Sequence, residues 1–140
     1  MGLLSDFFIS TTEEFATYGE SDSFNVEDRC QYKYITPLEA SSLLITVEGG
    51  SRDPVEGIDE FKLLTPEEGD EWTMSCPPKF LSLMASLNDG LIASAAERCV
   101  SSISTIAYTV DDYVQLLSDL RRLATRAEAT GKSMYLWNSL

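Results

Sequence analysis

The chain has 140 residues, of which 23 are acidic and 10 are basic, so its formal net charge is −13 at neutral pH. A surface of this sign repels the phosphate backbone, which argues against direct binding to DNA or RNA. The hydrophobic share of 44% is that of a folded protein rather than of a disordered acidic chain, and the length suits one domain over residues 1–140.

The predicted elements follow from hydrophobic spacing and from capping and turn residues. In chain order the first half contains a strand over 3–9, a short helix over 11–18, a loop over 19–28, a strand over 30–35, a helix over 37–47, an acidic loop over 51–60, a brief strand over 61–64 and a strand over 71–75. Thr36 and Pro37 begin the helix over 37–47, and Gly49-Gly50 end it.

The pattern changes to helical after Pro77-Pro78, because a proline pair cannot donate hydrogen bonds to a sheet. Two apolar stripes with helical spacing follow and are separated by Asn88-Asp89, a capping pair. Their members are Phe80, Leu83, Met84 and Leu87 in the first stripe and Ile92, Ala95, Ala96, Cys99 and Ile103 in the second.

The clearest predicted element is a helix over 110–130. Thr109 and Asp112 form a capping box at its start, and Gly131 stands where a C-terminal cap glycine belongs. Residues 133–140 then alternate and end on an apolar residue, which predicts an internal strand. Together these elements predict an α+β fold: a small sheet, with helices dominant in the C-terminal half.

The two ends of the chain resemble those of a group of small bacterial single-domain proteins. The resemblance is carried by the start Leu3-Leu4-Ser5-Asp6-Phe7-Phe8 and by the closing run from Gly131 to Leu140, which has the form GK-x-x-YLW-x-SL. The group has no assigned activity. The resemblance therefore implies a single-domain bacterial protein and transfers no functional residue.

The residue types in the chain also restrict its cellular location and the catalytic chemistry open to it. No stretch approaches the roughly 20 apolar residues of a membrane span, and the N-terminus lacks a signal peptide, so we expect a cytoplasmic protein without membrane contact. Cys30, Cys76 and Cys99 are odd in number and widely spaced, which predicts buried reduced thiols. The absence of histidine removes the commonest catalytic base and transition-metal ligand, and we predict no cofactor.

Charge is segregated along the chain. Residues 1–71 contain 17 acidic and 4 basic residues, whereas residues 72–140 contain six of each. The acids of the first half do not fit a calcium loop, because a loop that begins at Asp53 has Ile58 where the motif needs glycine. We therefore predict solvated acidic loops and no metal site.

The acids of the first half are interleaved with aromatic residues, and this combination suits the binding of a basic protein. Acids would supply the association rate and selectivity, while an aromatic anchor would supply burial. The candidate partner-binding residues are Asp53, Glu56, Asp59, Glu60, Glu67, Glu68 and Trp72. The function predicted from the sequence is a non-enzymatic protein-binding module, of the immunity-protein or antitoxin type or a nucleic-acid mimic.

Two other functions are compatible with the sequence. A carboxylate-based or metal-assisted hydrolase needs only two acids in one pocket, and a chain rich in acids offers many combinations. A structural or assembly protein would bury an apolar patch as a homodimer.

Arg121, Arg122, Arg126 and Lys132 form the one local group of basic residues. They lie toward the C-terminal end of the last predicted helix, where cations complement the helix dipole. We expect Asp119 and Glu128, three or four residues away, to pair with them.

Overall fold

The computed structural model describes residues 3–11, 26–50, 52–65 and 69–140. In these residues five strands form one antiparallel sheet with the order β2-β1-β5-β4-β3. The strands are β1 (Leu4–Ser10), β2 (Arg29–Lys33), β3 (Lys62–Leu63), β4 (Glu71–Ser75) and β5 (Ser133–Ser139). The prediction that the C-terminal segment is an internal strand is confirmed, because β5 lies at the centre of the sheet.

Both ends of the chain meet in the middle of this sheet. β1 pairs with β5 over its whole length, from Leu4 opposite Ser139 to Ser10 opposite Ser133. Asn138 adds a buried link, because its Nδ2 donates to the carbonyl of Ile35 at 2.8 Å and to Ser5 Oγ at 3.1 Å. The N-terminal and C-terminal segments are thus held by one continuous ladder.

Five α-helices complete the described part of the α+β fold. They are α1 (Pro37–Glu48), α2 (Pro54–Gly57), α3 (Pro78–Ala85), α4 (Asp89–Ser102) and α5 (Val110–Thr130), and 3₁₀ helices occupy Val26–Asp28 and Ile58–Glu60. The predicted helix over 110–130 is confirmed to the residue. The prediction of a loop over 51–60 is wrong, because α2 and a 3₁₀ helix form there. The helix predicted over 11–18 lies almost wholly outside the described residues.

The helix ends carry the caps that the sequence indicates. The Asn88 side chain accepts from Leu91 N at the start of α4, and Thr109 and Asp112 form a reciprocal box at the start of α5. Gly49 and Gly131 end α1 and α5 in the left-handed region, with φ of 75° and 68°. Glycine suits both positions because other residues are strained there.

The main core lies between the helices and one face of the sheet. α5 contributes its whole apolar stripe, and the sheet contributes side chains that alternate along the three central strands. The Phe7 and Phe80 rings stack at 5.9 Å, which ties β1 to α3. Residues buried in this core include Phe7, Ile9, Met74, Phe80, Met84, Leu116, Leu117, Leu120, Leu123 and Leu136.

The opposite face of the sheet carries a second, smaller buried cluster. Phe8 and Tyr135 stack there with ring centroids 5.3 Å apart, and Trp137 packs beside them. Its indole Nε1 donates to Glu71 at 3.1 Å. The sheet therefore has apolar side chains on both faces.

The three cysteines are free and buried, as predicted. Burial raises the pKa of all three thiols, that of Cys99 to about 12. Each thiol is therefore protonated and unreactive at neutral pH. Among the described helices, none is both long and apolar enough to cross a membrane.

The basic residues of α5 pair differently from the prediction. Asp119 lies 4.0 Å from Arg122, as expected, but Glu128 forms no ion pair within the described residues. Arg126 instead pairs with Asp28 at 2.5 Å and with Glu27 at 3.6 Å. Lys132 reaches the other oxygen of Asp28 at 3.3 Å. Burial alone would raise the pKa of Asp28, but the hydrogen bonds and charges of these two cations outweigh burial and lower it. This ion pair joins α5 to the start of β2.

Candidate functional site

Four of the seven predicted partner-binding residues lie close together in the structure. Asp53, Glu56, Asp59 and Glu60 belong to one stretch that comprises α2 and the 3₁₀ helix after it. We call residues 53–60 the acidic segment. Trp72 lies on a different element, β4, and Glu67 and Glu68 lie outside the described residues.

The acidic segment begins with a cap. Asp53 Oδ1 accepts from Val55 N at 2.9 Å, and Pro54 occupies the first helical position, where its missing N–H costs nothing. Asp53 therefore has a structural role in addition to its charge.

Gly57 allows α2 to approach α1 closely. A Cβ at this position would lie 2.2 Å from Ser41 Oγ, and Ser41 is completely buried on α1. The Ser41 hydroxyl donates to the carbonyl of Pro54 at 2.8 Å. The contact fixes the acidic segment against a core helix.

Phe61 anchors the other end of the acidic segment. Its ring is buried and meets Phe80 edge to face at 5.6 Å. The segment is thus held at both ends, by the Gly57 contact and by the Phe61 ring. The backbone that carries its exposed carboxylates is therefore held in place.

Glu60 belongs to an internal ion-pair network. Its two oxygens lie 2.9 Å from Arg52 and 2.8 Å from Lys79, and Arg52 also lies 3.6 Å from Glu48. The hydrogen bonds from Lys79 and Arg52 lower the pKa of Glu60. Glu60 therefore helps to attach the acidic segment to the rest of the protein and contributes little to the outer surface of the segment.

The outer side of the acidic segment consists of four exposed residues. Asp53, Glu56 and Asp59 are exposed, and Val55 has an exposed fraction of 63%. Within the described residues Glu56 and Asp59 form no ion pair. We call Asp53, Val55, Glu56 and Asp59 the acidic surface.

Trp72 does not join this surface. It is half-buried and packs against the main core from the helix-covered face of the sheet. The residue that supplies exposed apolar area beside the acids is Val55 instead. No sequence signal distinguished Val55, because a valine in an acidic stretch fits a loop as well as a short helix.

A metal site or a carboxylate-based hydrolase would need acidic side chains that lie close together. No group of three acidic or cysteine side chains among them is close enough to hold a metal ion. Among three clefts formed by described residues, one is lined by Glu48 and one by Glu60, and none of these three is lined by two carboxylates.

Comparison with known proteins gives no relative. No family model, curated protein or solved structure matches this chain.

Proposed function

We propose that this chain is a cytoplasmic, non-enzymatic protein-binding module that engages a basic protein through the acidic surface. A bacterial immunity protein or antitoxin that masks a nuclease is the specific form that we favour, with a nucleic-acid mimic as a related form. The bacterial origin rests on the resemblance of the chain ends.

The observation that carries the proposal is the way in which the acidic segment is held. Within the part of the chain that the structure describes, its exposed carboxylates form no ion pair, although Arg52 and Lys79 are close enough to pair with Glu60. Arg52 attracts Glu56 only at longer range. The Gly57 contact and the buried Phe61 fix the backbone beneath them. Because this backbone is already fixed, only the side chains lose entropy when they bind, which favours recognition.

Charge and apolar area play separate parts in this proposal. Carboxylates at the rim of an interface raise the association rate and reject partners of the same charge. Val55 stands among them and would be covered by the partner, as the apolar centre of an interface is. The net charge of −13 adds long-range attraction toward a basic protein.

The test is affinity capture with charge-reversed variants of the full chain. The wild type is compared with the double variant Glu56→Lys, Asp59→Lys, and with the control Glu97→Lys, Glu128→Lys, which makes the same charge change at exposed positions on α4 and α5. We expect a basic protein that binds the wild type and the control and is lost from the first variant.

A partner that both variants retain, or that only the control loses, would contradict the proposal. Circular dichroism of each variant establishes that the fold is intact, so that lost binding reports on the surface. Because Glu56 and Asp59 are exposed and form no ion pair within the described residues, neither reversal should unfold the chain.

A further inference from the structure

A cleft of about 320 Å³ lies between the C-terminal halves of α1 and α4. Ser42 and Thr46 stand one turn apart on α1, and Arg98 and Ser102 stand one turn apart on α4, so each helix presents one face to the cleft. Arg52, from the segment after α1, lines it as well. The cleft is therefore built from three separate parts of the chain.

The ionisable side chains that line this cleft are basic. Two arginines line it and no carboxylate does, in a chain that has only 10 basic residues. Arg98 has no ion pair among the described residues. Arg52 uses its two terminal nitrogens toward Glu60 and Glu48, but a guanidinium has five N–H donors, so others remain.

Hydroxyl groups complete the donor set. Within the described part of the chain, the hydroxyls of Thr46 and Ser102 have no hydrogen-bond partner. The Ser42 hydroxyl is held in place, because it donates to the carbonyl of Leu38 at 3.0 Å. Two guanidinium groups and two available hydroxyls thus line one concave surface.

We propose that this cleft binds a small phosphate-bearing anion. A phosphate group accepts hydrogen bonds in several directions, and arginine donates to it in a planar fork. Arg98 supplies a positive charge that has no ion pair among the described residues, whereas Arg52 shares its charge with Glu60 and Glu48 and contributes mainly N–H donors. The carbonyl ends of α1 and α4 oppose an anion with about half a charge each, so binding depends on the charge of Arg98 and on the directed hydrogen bonds of both guanidinium groups. The volume leaves room for a short organic group beside the phosphate.

The proposal is tested by NMR titration of the full chain, with amide shifts as the readout. The probes are inorganic phosphate and glycerol 3-phosphate, and sodium chloride at matched ionic strength is the blank. We expect phosphate, but not chloride, to cause saturable changes in amide chemical shift. These changes should be largest at Gly49, Gly50 and Ser102, which line the cleft.

Variants identify the groups responsible. Arg98→Gln should weaken binding by about tenfold or more, because it removes a charge-assisted donor from an exposed helix position. Thr46→Val should weaken it less. Arg121→Gln is the matched control, since it makes the same charge change on α5, where Arg121 pairs with Asp89, and it should bind like the wild type.

The proposal would be overturned by no saturable shift at the cleft, by equal weakening in Arg98→Gln and Arg121→Gln, or by unchanged binding in Arg98→Gln. Malonate is included as a dicarboxylate of similar size. Binding of malonate as tight as that of glycerol 3-phosphate would show a general anion site and would refute the assignment to phosphate. None of these outcomes depends on the acidic surface.

Discussion

Within the described residues, each buried acid has a partner that the chain supplies from another segment. Asp28 is paired with Arg126 and Lys132, which lie 98 and 104 residues away in sequence. Glu39 accepts from Thr36 N at 2.9 Å and from the Thr105 hydroxyl at 2.8 Å. Because an unpaired buried charge is costly, these contacts make single acids important to stability.

Asp28→Asn should lower the free energy of unfolding by about 1–3 kcal/mol at neutral pH, because it removes charge-assisted hydrogen bonds from a buried site. The folded-state pKa of Asp28 lies below its ordinary value of 3.8, so its carboxylate stabilises the native state at neutral pH. That contribution is lost as the pH falls below about 4. The difference between wild type and variant should therefore shrink in acid, as urea denaturation at pH 7 and pH 3 would measure.

Asp89→Asn is the matched control for this experiment. Asp89 also pairs with an arginine of α5, but its side chain is 94% exposed. Exposed pairs contribute little, so the control should lose less than about 1 kcal/mol. An equal loss in the two variants would show that burial of Asp28 has no special role.

At the scale of helices and strands, the elements with the longest and most regular apolar spacing were predicted best. The 21 residues of α5 carry six turns of apolar spacing with a capping signal at each end, and the predicted bounds are those of the structure. The acidic segment carries no periodicity, because α2 has only four residues. Its helix is stabilised by the contact with Ser41, which sequence spacing cannot show.

Leu120→Asp tests which face of α5 is inward. Leu120 is completely buried, and a carboxylate there would have no cation to pair with in the main core. We expect a loss of several kcal/mol and little soluble protein. Thr125→Asp places the same charge on the exposed side of α5 and should cost less than about 1 kcal/mol, as thermal unfolding would show.

Gly57→Ala tests how the acidic segment is attached. The new Cβ would force the buried Ser41 hydroxyl away from the Pro54 carbonyl, so we expect a loss of about 1–3 kcal/mol by chemical denaturation. Gly50→Ala adds the same methyl group where the nearest atom would be 3.9 Å away, and should change stability little. Equal stability of the two variants would mean that α2 shifts outward without cost.

At the scale of the whole molecule, the sequence predicted the sign and the uneven distribution of charge but not which acids are available. Glu60 counts toward the acidic half, yet Arg52 and Lys79 neutralise it. Lys79 comes from the electrically balanced half, so only the fold brings the two together. The same holds for the cleft between α1 and α4, because Arg52 and Arg98 are 46 positions apart in the sequence and line one cleft only through the packing of α1 on α4.

The final prediction concerns the kinetics of partner binding. Steering by the acidic half acts over long range, and salt screens it beyond about 10 Å at 0.1 M ionic strength. The association rate with a true partner should therefore fall steeply with salt, while the dissociation rate changes little. Surface plasmon resonance over a salt series measures both rates.

Charge-reversed variants show which carboxylates raise the association rate. Glu56→Lys and Asp59→Lys should slow association and flatten its salt dependence, because both carboxylates are exposed and form no ion pair within the described residues. Glu97→Lys and Glu128→Lys, in the balanced half, should do neither. Glu60→Lys is left out of this set, because it would place three cations together and loosen the segment itself. An association rate that is indifferent to salt, or that depends on Glu97 and Glu128, would place the binding face elsewhere on the protein.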